Sequence, residues 1–240
     1  MKKHVPNLIT SLNAFSGCIA CVAAFHGALE WVVFWVVMAG VFDFLDGFSS
    51  RLLDAYSPIG KELDSLADLI SFGMAPAVAI YMLLSGSNVA YPALLEPLKE
   101  YIPYLGFVIV IFSALRLAKF NLDERQTDSF IGLATPANAM FWTSFCAGVQ
   151  DRFPTINSGL LLTTVALVFV FSYLMISEIP MFSLKKRKLK WKENEQLIAL
   201  LAFTLVSTYF LNILGIAVSV LFYICLCCIF NRKNKIAECD

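Results

Sequence analysis

Apolar runs of helical length, broken by short polar stretches, recur along the whole chain. A helix crosses the hydrocarbon core of a bilayer with about 20 predominantly apolar residues. Runs of this kind cover Leu8–Gly27, Glu30–Ser50, Leu63–Leu84, Tyr101–Phe120, Leu133–Gln150, Gly159–Ser177, Glu195–Leu211 and Ile213–Phe230. The last two come from one 36-residue tract, too long for one helix, which divides around Asn212-Ile213-Leu214-Gly215. The first run is spotted with Asn7, Thr10, Ser11, Asn13 and Ser16, unlike the uniformly greasy core of a cleaved signal, so it is expected to be a retained helix. The pattern predicts an all-α, polytopic integral membrane helical bundle of about eight transmembrane helices.

Composition agrees. Of 240 residues, 59% are hydrophobic and 15% are charged, against about 25% charged in soluble domains; mean hydropathy is +0.73. Net charge is zero, so nothing points to a nucleic-acid partner. The distribution of the basic residues says more than their sum. With the N-terminus inside, only Lys99 and Arg152 of the eighteen fall on the outer side. Such a bias places both termini in the cytoplasm and requires an even number of spans. The basic run Lys185–Lys192 acts as a topology determinant and is also suited to anionic headgroups. Six of the seven cysteines lie inside apolar runs as small hydrophobes, and the Cys18–Cys21 pair lacks the second pair or histidine that a zinc site needs.

Four aspartates break the apolar pattern. Asp43 and Asp46 are three apart at the end of the second run; Asp64 and Asp68 are four apart at the start of the third. Each spacing puts a pair on one helical face, and the short turn between the helices lets the two faces converge. A charged residue at mid-helix costs roughly 2.5–3.5 kcal/mol, so four unpaired ones would approach ~10–14 kcal/mol. Ion pairs to Arg51 and Lys61 would satisfy only two of the four. A bound cation resolves the repulsion. With no His or Cys between Val41 and Ile80, the donors are all oxygen and suit Mg²⁺, Mn²⁺ or Ca²⁺. Such ions commonly bridge carboxylates to substrate phosphates. Arg51 offers a forked phosphate contact, while Gly47 leaves room for a substrate and Gly60 permits close helix packing.

The stretch reads D43-x2-D46-G47-x2-S50-R51-x8-G60-x3-D64-x3-D68. It resembles the signature of the CDP-alcohol phosphatidyltransferase family, departing only at Ser50, where alanine is usual. The resemblance implies transfer of a phosphatidyl group from a CDP-linked lipid to an alcohol, with release of CMP. By position, Asp43, Asp46 and Asp64 would hold two divalent ions (Mg²⁺ or Mn²⁺, with Ca²⁺ a third candidate). Asp68 would be general base and also ligand. Gly47, Arg51, Ser57 and Gly60 would line the CDP-lipid site, and Asn7 and Thr10, in a Pro6–Thr10 segment resembling the family's first helix, would help enclose the nucleotide. On this basis residues 1–180 form the catalytic membrane core, and residues 181–240 a basic cytoplasmic loop followed by a helix pair.

A second region, Ser113–Asn121 with Phe130–Ala139, resembles the phosphatidylserine synthase branch, with departures at Lys119, Ala134 and Asn138. That implies CDP-diacylglycerol and L-serine as substrates, and family likeness suggests a homodimer. A serine acceptor carries a carboxylate, for which Arg116 and Lys119, with Asn121 nearby, are the candidate partners. Two rivals stay open. One is transfer to another alcohol such as inositol phosphate or glycerol phosphate. The other is a divalent-cation transporter, which would need its acids to continue toward the outer side.

Overall fold

Which residues of a helix face inward explains why the first helix looks too polar for a membrane. In α1 (His4–Phe25) the buried positions are Pro6, Thr10, Asn13, Ser16, Gly17, Ala20 and Ala24. Leu8, Phe15, Val22 and Phe25 point outward. The helix is inside-out relative to a soluble one: small and polar residues pack against protein, and large apolar ones are left for lipid. In this computed structural model the described residues are 4–122, 130–181 and 195–237. The basic run 185–192, Lys2, Lys3 and Arg125 lie outside them.

Gly27, at φ +70°, turns the chain from α1 into α2 (Leu29–Leu52), and the two helices pack along their lengths. A short turn leads to α3 (Pro58–Asp68), whose N-cap Ser57 accepts the Gly60 N–H at 3.1 Å, with a proline in the first turn. The helix does not stop at Asp68. It widens into a π-helical turn, Leu69–Met74, and continues as α4 (Ala75–Leu84). The unbroken element Pro58–Leu84 has 27 residues. At 1.5 Å per residue it is about 40 Å long, so roughly two turns exceed the ~30 Å hydrocarbon core. The helix starts at Pro58, earlier than the expected Leu63, and takes in the polar residues Lys61 and Glu62.

Two 3₁₀ turns, Glu96–Leu98 and Ile102–Phe107, lead into α5 (Val108–Leu122). A two-residue strand β1 (Phe130–Ile131) pairs antiparallel with β2 (Pro180–Met181), clamping the ends of α6 (Thr135–Arg152) and α7 (Ser158–Ile176). Gly132, at φ +76°, sits so close to the Met175 and Ser177 carbonyls that a β-carbon would collide with them. The C-terminal tract divides where expected. Asn212, in the left-handed region at φ 52°, separates α8 (Glu195–Leu211) from α9 (Leu214–Ala237). Ser207 and Ser219 tie that pair together through a 2.9 Å hydroxyl contact.

Helix α6 is the centre of the bundle, with Asn138, Phe141, Trp142, Cys146 and Val149 all buried. Neighbours α2, α4 and α9 surround it, and Phe141 stacks on Phe171 of α7 at 4.0 Å. Surrounded by protein, it can afford Thr135, Asn138, Thr143 and Ser144. Among the described residues, five helical elements are long and apolar enough to cross a membrane: α1, α2, the Pro58–Leu84 element, Ile102–Leu122 and α7. The apolar parts of α8 and α9, Leu197–Leu211 and Leu214–Ile229, are shorter. The chain is thus an all-α protein with a multi-pass membrane character.

Candidate active site

Carboxylates from α2 and α3 meet as the spacing predicted. Each of Asp43, Asp64 and Asp68 offers an oxygen, and the three oxygens lie within 4.8 Å of one another. Asp46 completes the group: it faces Asp64 on one side and Thr10 of α1 on the other. Asp46 and Asp68 are buried, while Asp43 and Asp64 are half-buried. Asp46 Oδ2 and Asp64 Oδ1 are shielded from solvent and have no hydrogen-bond partner. Buried anionic oxygens left unpaired are costly, and two such atoms in one cluster mark a place for a cation. Oxygens on opposite sides of one hard cation lie about 4–5 Å apart, since each sits roughly 2.0–2.6 Å from the ion. The three carboxylates fit that span.

Close packing of α1 brings the cluster into register. At Gly17 a β-carbon would lie 2.6 Å from Ser71 Cα, so only glycine lets α1 approach the π-helical turn. One turn earlier on the same face, Asn13 donates its Nδ2 proton to Asp68 Oδ1 at 3.0 Å. Gly60 has a comparable role at the other end, where a β-carbon would lie 2.9 Å from Ser57 Oγ and 3.0 Å from Asn7 Oδ1. Wide π turns often occur at functional sites, and this one begins at the residue after Asp68.

The other residues singled out from the sequence divide into groups. Asn7 and Ser57 both crowd Gly60, whose N–H donates to Ser57 Oγ. Thr10 donates to the Pro6 carbonyl at 3.0 Å and lies against Asp46. Gly47 has open space, its nearest neighbour being Arg51 Nη2 at 3.9 Å from a built β-carbon. Arg51 is exposed and donates from Nε to the Gly47 carbonyl at 2.9 Å. Its guanidinium is therefore folded back over the preceding turn, and its outer nitrogens have no side-chain partner among the described residues.

The three acceptor candidates do not share one environment. Arg116 is buried and close enough to Asp68 to interact with it electrostatically. It donates from Nη1 to Thr135 Oγ1 at 3.0 Å, while its Nε has no partner. Arg116 and Lys119 line a small pocket with Phe120, Ile131, Met175 and Ser177, where Lys119 is exposed and 3.8 Å from the exposed Glu178 carboxylate. Asn121 braces α5 against α3: its Nδ2 donates to Ser65 Oγ at 2.9 Å, and its carbonyl accepts from Lys61 Nζ at 3.0 Å. Asn13 and Thr135 are also in this region, bonded to Asp68 and Arg116; for Thr135 and Asn138 the sequence suggests polar contacts or bonds across helices. Asn138 is fully buried with both amide heavy atoms unpartnered. The signal for Asn13 was present, since Thr10, Asn13 and Gly17 recur at helical spacing on one face.

Fold and site together define a class: a multi-pass helical membrane protein with a buried, all-carboxylate centre suited to hard divalent cations. The chain belongs to the CDP-alcohol phosphatidyltransferase family, whose model matches residues 3–230. The match runs through the C-terminal helix pair, well past Ser177, where motif resemblance fades. A CDP-diacylglycerol–serine O-phosphatidyltransferase of Helicobacter pylori strain 26695 is 30% identical over 203 residues, spanning 84% of this chain and 80% of that protein. Its counterpart in Bacillus subtilis strain 168 is 32% identical over 188 residues, or 76% of this chain and 92% of the relative. An archaetidylserine synthase of Methanothermobacter thermautotrophicus is 34% identical over 144 residues, covering 59% and 57%.

Proposed function

We propose that this protein transfers the phosphatidyl group of CDP-diacylglycerol to the hydroxyl of L-serine, giving phosphatidylserine and CMP. The reading is carried by one observation above all: three carboxylate oxygens within 4.8 Å of one another, within electrostatic reach of a buried guanidinium whose Nε has no partner. The similarity to serine O-phosphatidyltransferases adds the acceptor.

Asp43, Asp46, Asp64 and Asp68 would hold divalent metal, two ions in the reading taken from the family. Bound there, the metal neutralises charge that develops on the phosphoryl oxygens and the departing CMP. Gly47 leaves the backbone open beside the pyrophosphate, and Arg51 presents its outer nitrogens to it. Ser57 Oγ accepts from Gly60 and retains its own proton to donate to the nucleotide, while Asn7, Thr10 and Gly60 close that side. An alcohol is a poor nucleophile at neutral pH, so the Asp68 carboxylate takes the serine hydroxyl proton as oxygen attacks the lipid-bearing phosphorus. The new P–O bond forms as the bond to CMP breaks. Arg116 holds the serine carboxylate beside Asp68, with Lys119 at the rim of the pocket and Asn121 fixing α5 to α3.

The same reading places eight spans in the membrane with both termini and the acid cluster toward the cytoplasm, supported by the one-sided distribution of Lys and Arg. Residues 1–180 then form the catalytic core, residues 181–240 a basic loop and helix pair, and two copies of the chain assemble as a homodimer. The functional test is purified protein with CDP-diacylglycerol, Mg²⁺, Mn²⁺ or Ca²⁺, and a panel of alcohols. CMP release that needs both serine and metal supports the reading. Release with inositol phosphate or glycerol phosphate, and not serine, replaces the acceptor. Metal uptake into proteoliposomes without any nucleotide lipid replaces the reaction with transport.

A further inference from the structure

The side-chain amide of Asn13 has one end committed and the other open. Its Nδ2 donates to Asp68 Oδ1 at 3.0 Å. Its Oδ1 is buried without a donor, in a residue with no exposed surface. An amide held beside a carboxylate must turn its N–H toward it and its carbonyl away, so the orientation follows from Asp68 itself. Burying an acceptor with no donor is costly, and a ligand donor at that place would offset the cost. Asp68 is also within electrostatic reach of the buried Arg116, whose Nε has no partner. Two unsatisfied groups of opposite kind thus belong to the neighbourhood of Asp68: the Arg116 Nε–H and the Asn13 carbonyl oxygen.

We propose that Asn13 is a positioning residue for the transfer reaction, holding one oxygen of Asp68 so that the other faces the acceptor hydroxyl, while its own carbonyl oxygen accepts from the acceptor's ammonium group. The inference rests on the serine reading and deepens it. Arg116 and Asn13 then read opposite ends of one amino acid, carboxylate and ammonium, with the hydroxyl left over the base. Discrimination follows from the unpaired atoms: an acceptor without an amine leaves Asn13 Oδ1 buried and unsatisfied. A site built to bond a polar group rejects analogues that lack it for this reason.

The test uses the full-length enzyme and two acceptors, L-serine and 3-hydroxypropionate, which keeps the hydroxyl and carboxylate and lacks the amine. Asn13→Ala is expected to lower kcat/KM for serine by about 100-fold, as an Å-scale misplacement does. For 3-hydroxypropionate the loss is smaller, about 10-fold, because only the hold on Asp68 is removed. KM for CDP-diacylglycerol stays at the wild-type value. Asn13→Asp, of the same shape, keeps an acceptor for ammonium but sets a second carboxyl against Asp68, so that the pair shares one proton and the base is occupied. It is expected to retain the preference for serine while kcat falls, and it carries the test if the alanine variant does not fold. Equal losses for both acceptors in Asn13→Ala would overturn the ammonium contact. Wild-type kcat in a folded Asn13→Ala or Asn13→Asp enzyme would overturn the positioning role. Failure of the unmodified enzyme to release CMP with serine, while it does so with another alcohol, would overturn the serine reading and this inference with it.

Discussion

A methyl group on Gly17 tests whether helix packing sets the catalytic geometry. A β-carbon there would lie 2.6 Å from Ser71 Cα, 2.8 Å from its nitrogen and 2.9 Å from its β-carbon. Carbon atoms in ordinary contact are about 3.5–4.0 Å apart, so α1 and the π-helical turn must separate by about 1 Å. Backbone lies on both sides, and neither can rotate away as a side chain would. Asn13 is one turn before Gly17 on the same face, and its bond to Asp68 is 3.0 Å long. Displaced by the same amount it reaches about 4 Å, beyond the ~3.2 Å limit of a sound N–H···O bond. Gly17→Ala is therefore expected to cost about 1–3 kcal/mol of stability through overpacking. Turnover should fall by about 100-fold. Gly40→Ala is the control: its β-carbon would meet only Phe72 Cζ, at 4.0 Å. It should gain up to about 1 kcal/mol from helix propensity and leave turnover unchanged. Thermal unfolding in detergent and CMP release from CDP-diacylglycerol measure both quantities. A Gly17→Ala enzyme with wild-type melting and turnover would refute the reasoning from packing to catalysis.

Asp68→Asn should lower kcat by about 100- to 10,000-fold, the range for a lost general base, measured as CMP release at saturating serine; activity near wild type would remove Asp68 from that role. Arg116→Met should raise KM for serine by roughly 10- to 150-fold, the equivalent of about 1.5–3 kcal/mol for a charge-assisted hydrogen bond. KM for CDP-diacylglycerol should not change, and steady-state kinetics with each substrate varied checks both. Ser57→Ala removes the cap of α3 and should lower stability by about 1 kcal/mol, with a higher KM for CDP-diacylglycerol from the lost hydroxyl proton; unfolding curves and substrate titration report the two effects separately.

Much of the architecture was legible because membrane helices announce themselves by length. All eight apolar runs are helices, and the divide at Asn212 holds because a left-handed residue there ends one helix and starts the next. The convergence of Asp43, Asp64 and Asp68 was legible from spacings of three and four, since a helical face is a local property. What escaped was whatever depends on neighbours distant in sequence. The π turn at Leu69–Met74 has no period of its own, and it forms where α1 presses on Ser71 through Gly17. Asn13 looked like one more polar spot on a greasy helix until its partner, 55 residues away, was in view. Lys119 and Asn121 were grouped with Arg116 by proximity along one helix. Three apart, Arg116 and Lys119 line one pocket, with Lys119 also reaching the exposed Glu178, while Asn121 turns away to Ser65. The low hydropathy of α6 has the same origin: a central helix faces protein on its sides, so it does not need the apolar surface that lipid demands.

The central claim is that the carboxylate cluster carries out metal-assisted transfer of a phosphatidyl group to serine. The most direct measurement is product analysis by mass spectrometry after incubating purified protein with CDP-diacylglycerol and isotope-labelled L-serine, with Mg²⁺ or Mn²⁺ and again after chelation. Labelled phosphatidylserine and an equal amount of CMP are expected with metal, neither is expected after chelation, and re-addition of metal should restore both. Labelled product undiminished by chelation would contradict the role given to the carboxylates, and CMP release without labelled lipid would contradict serine as the acceptor.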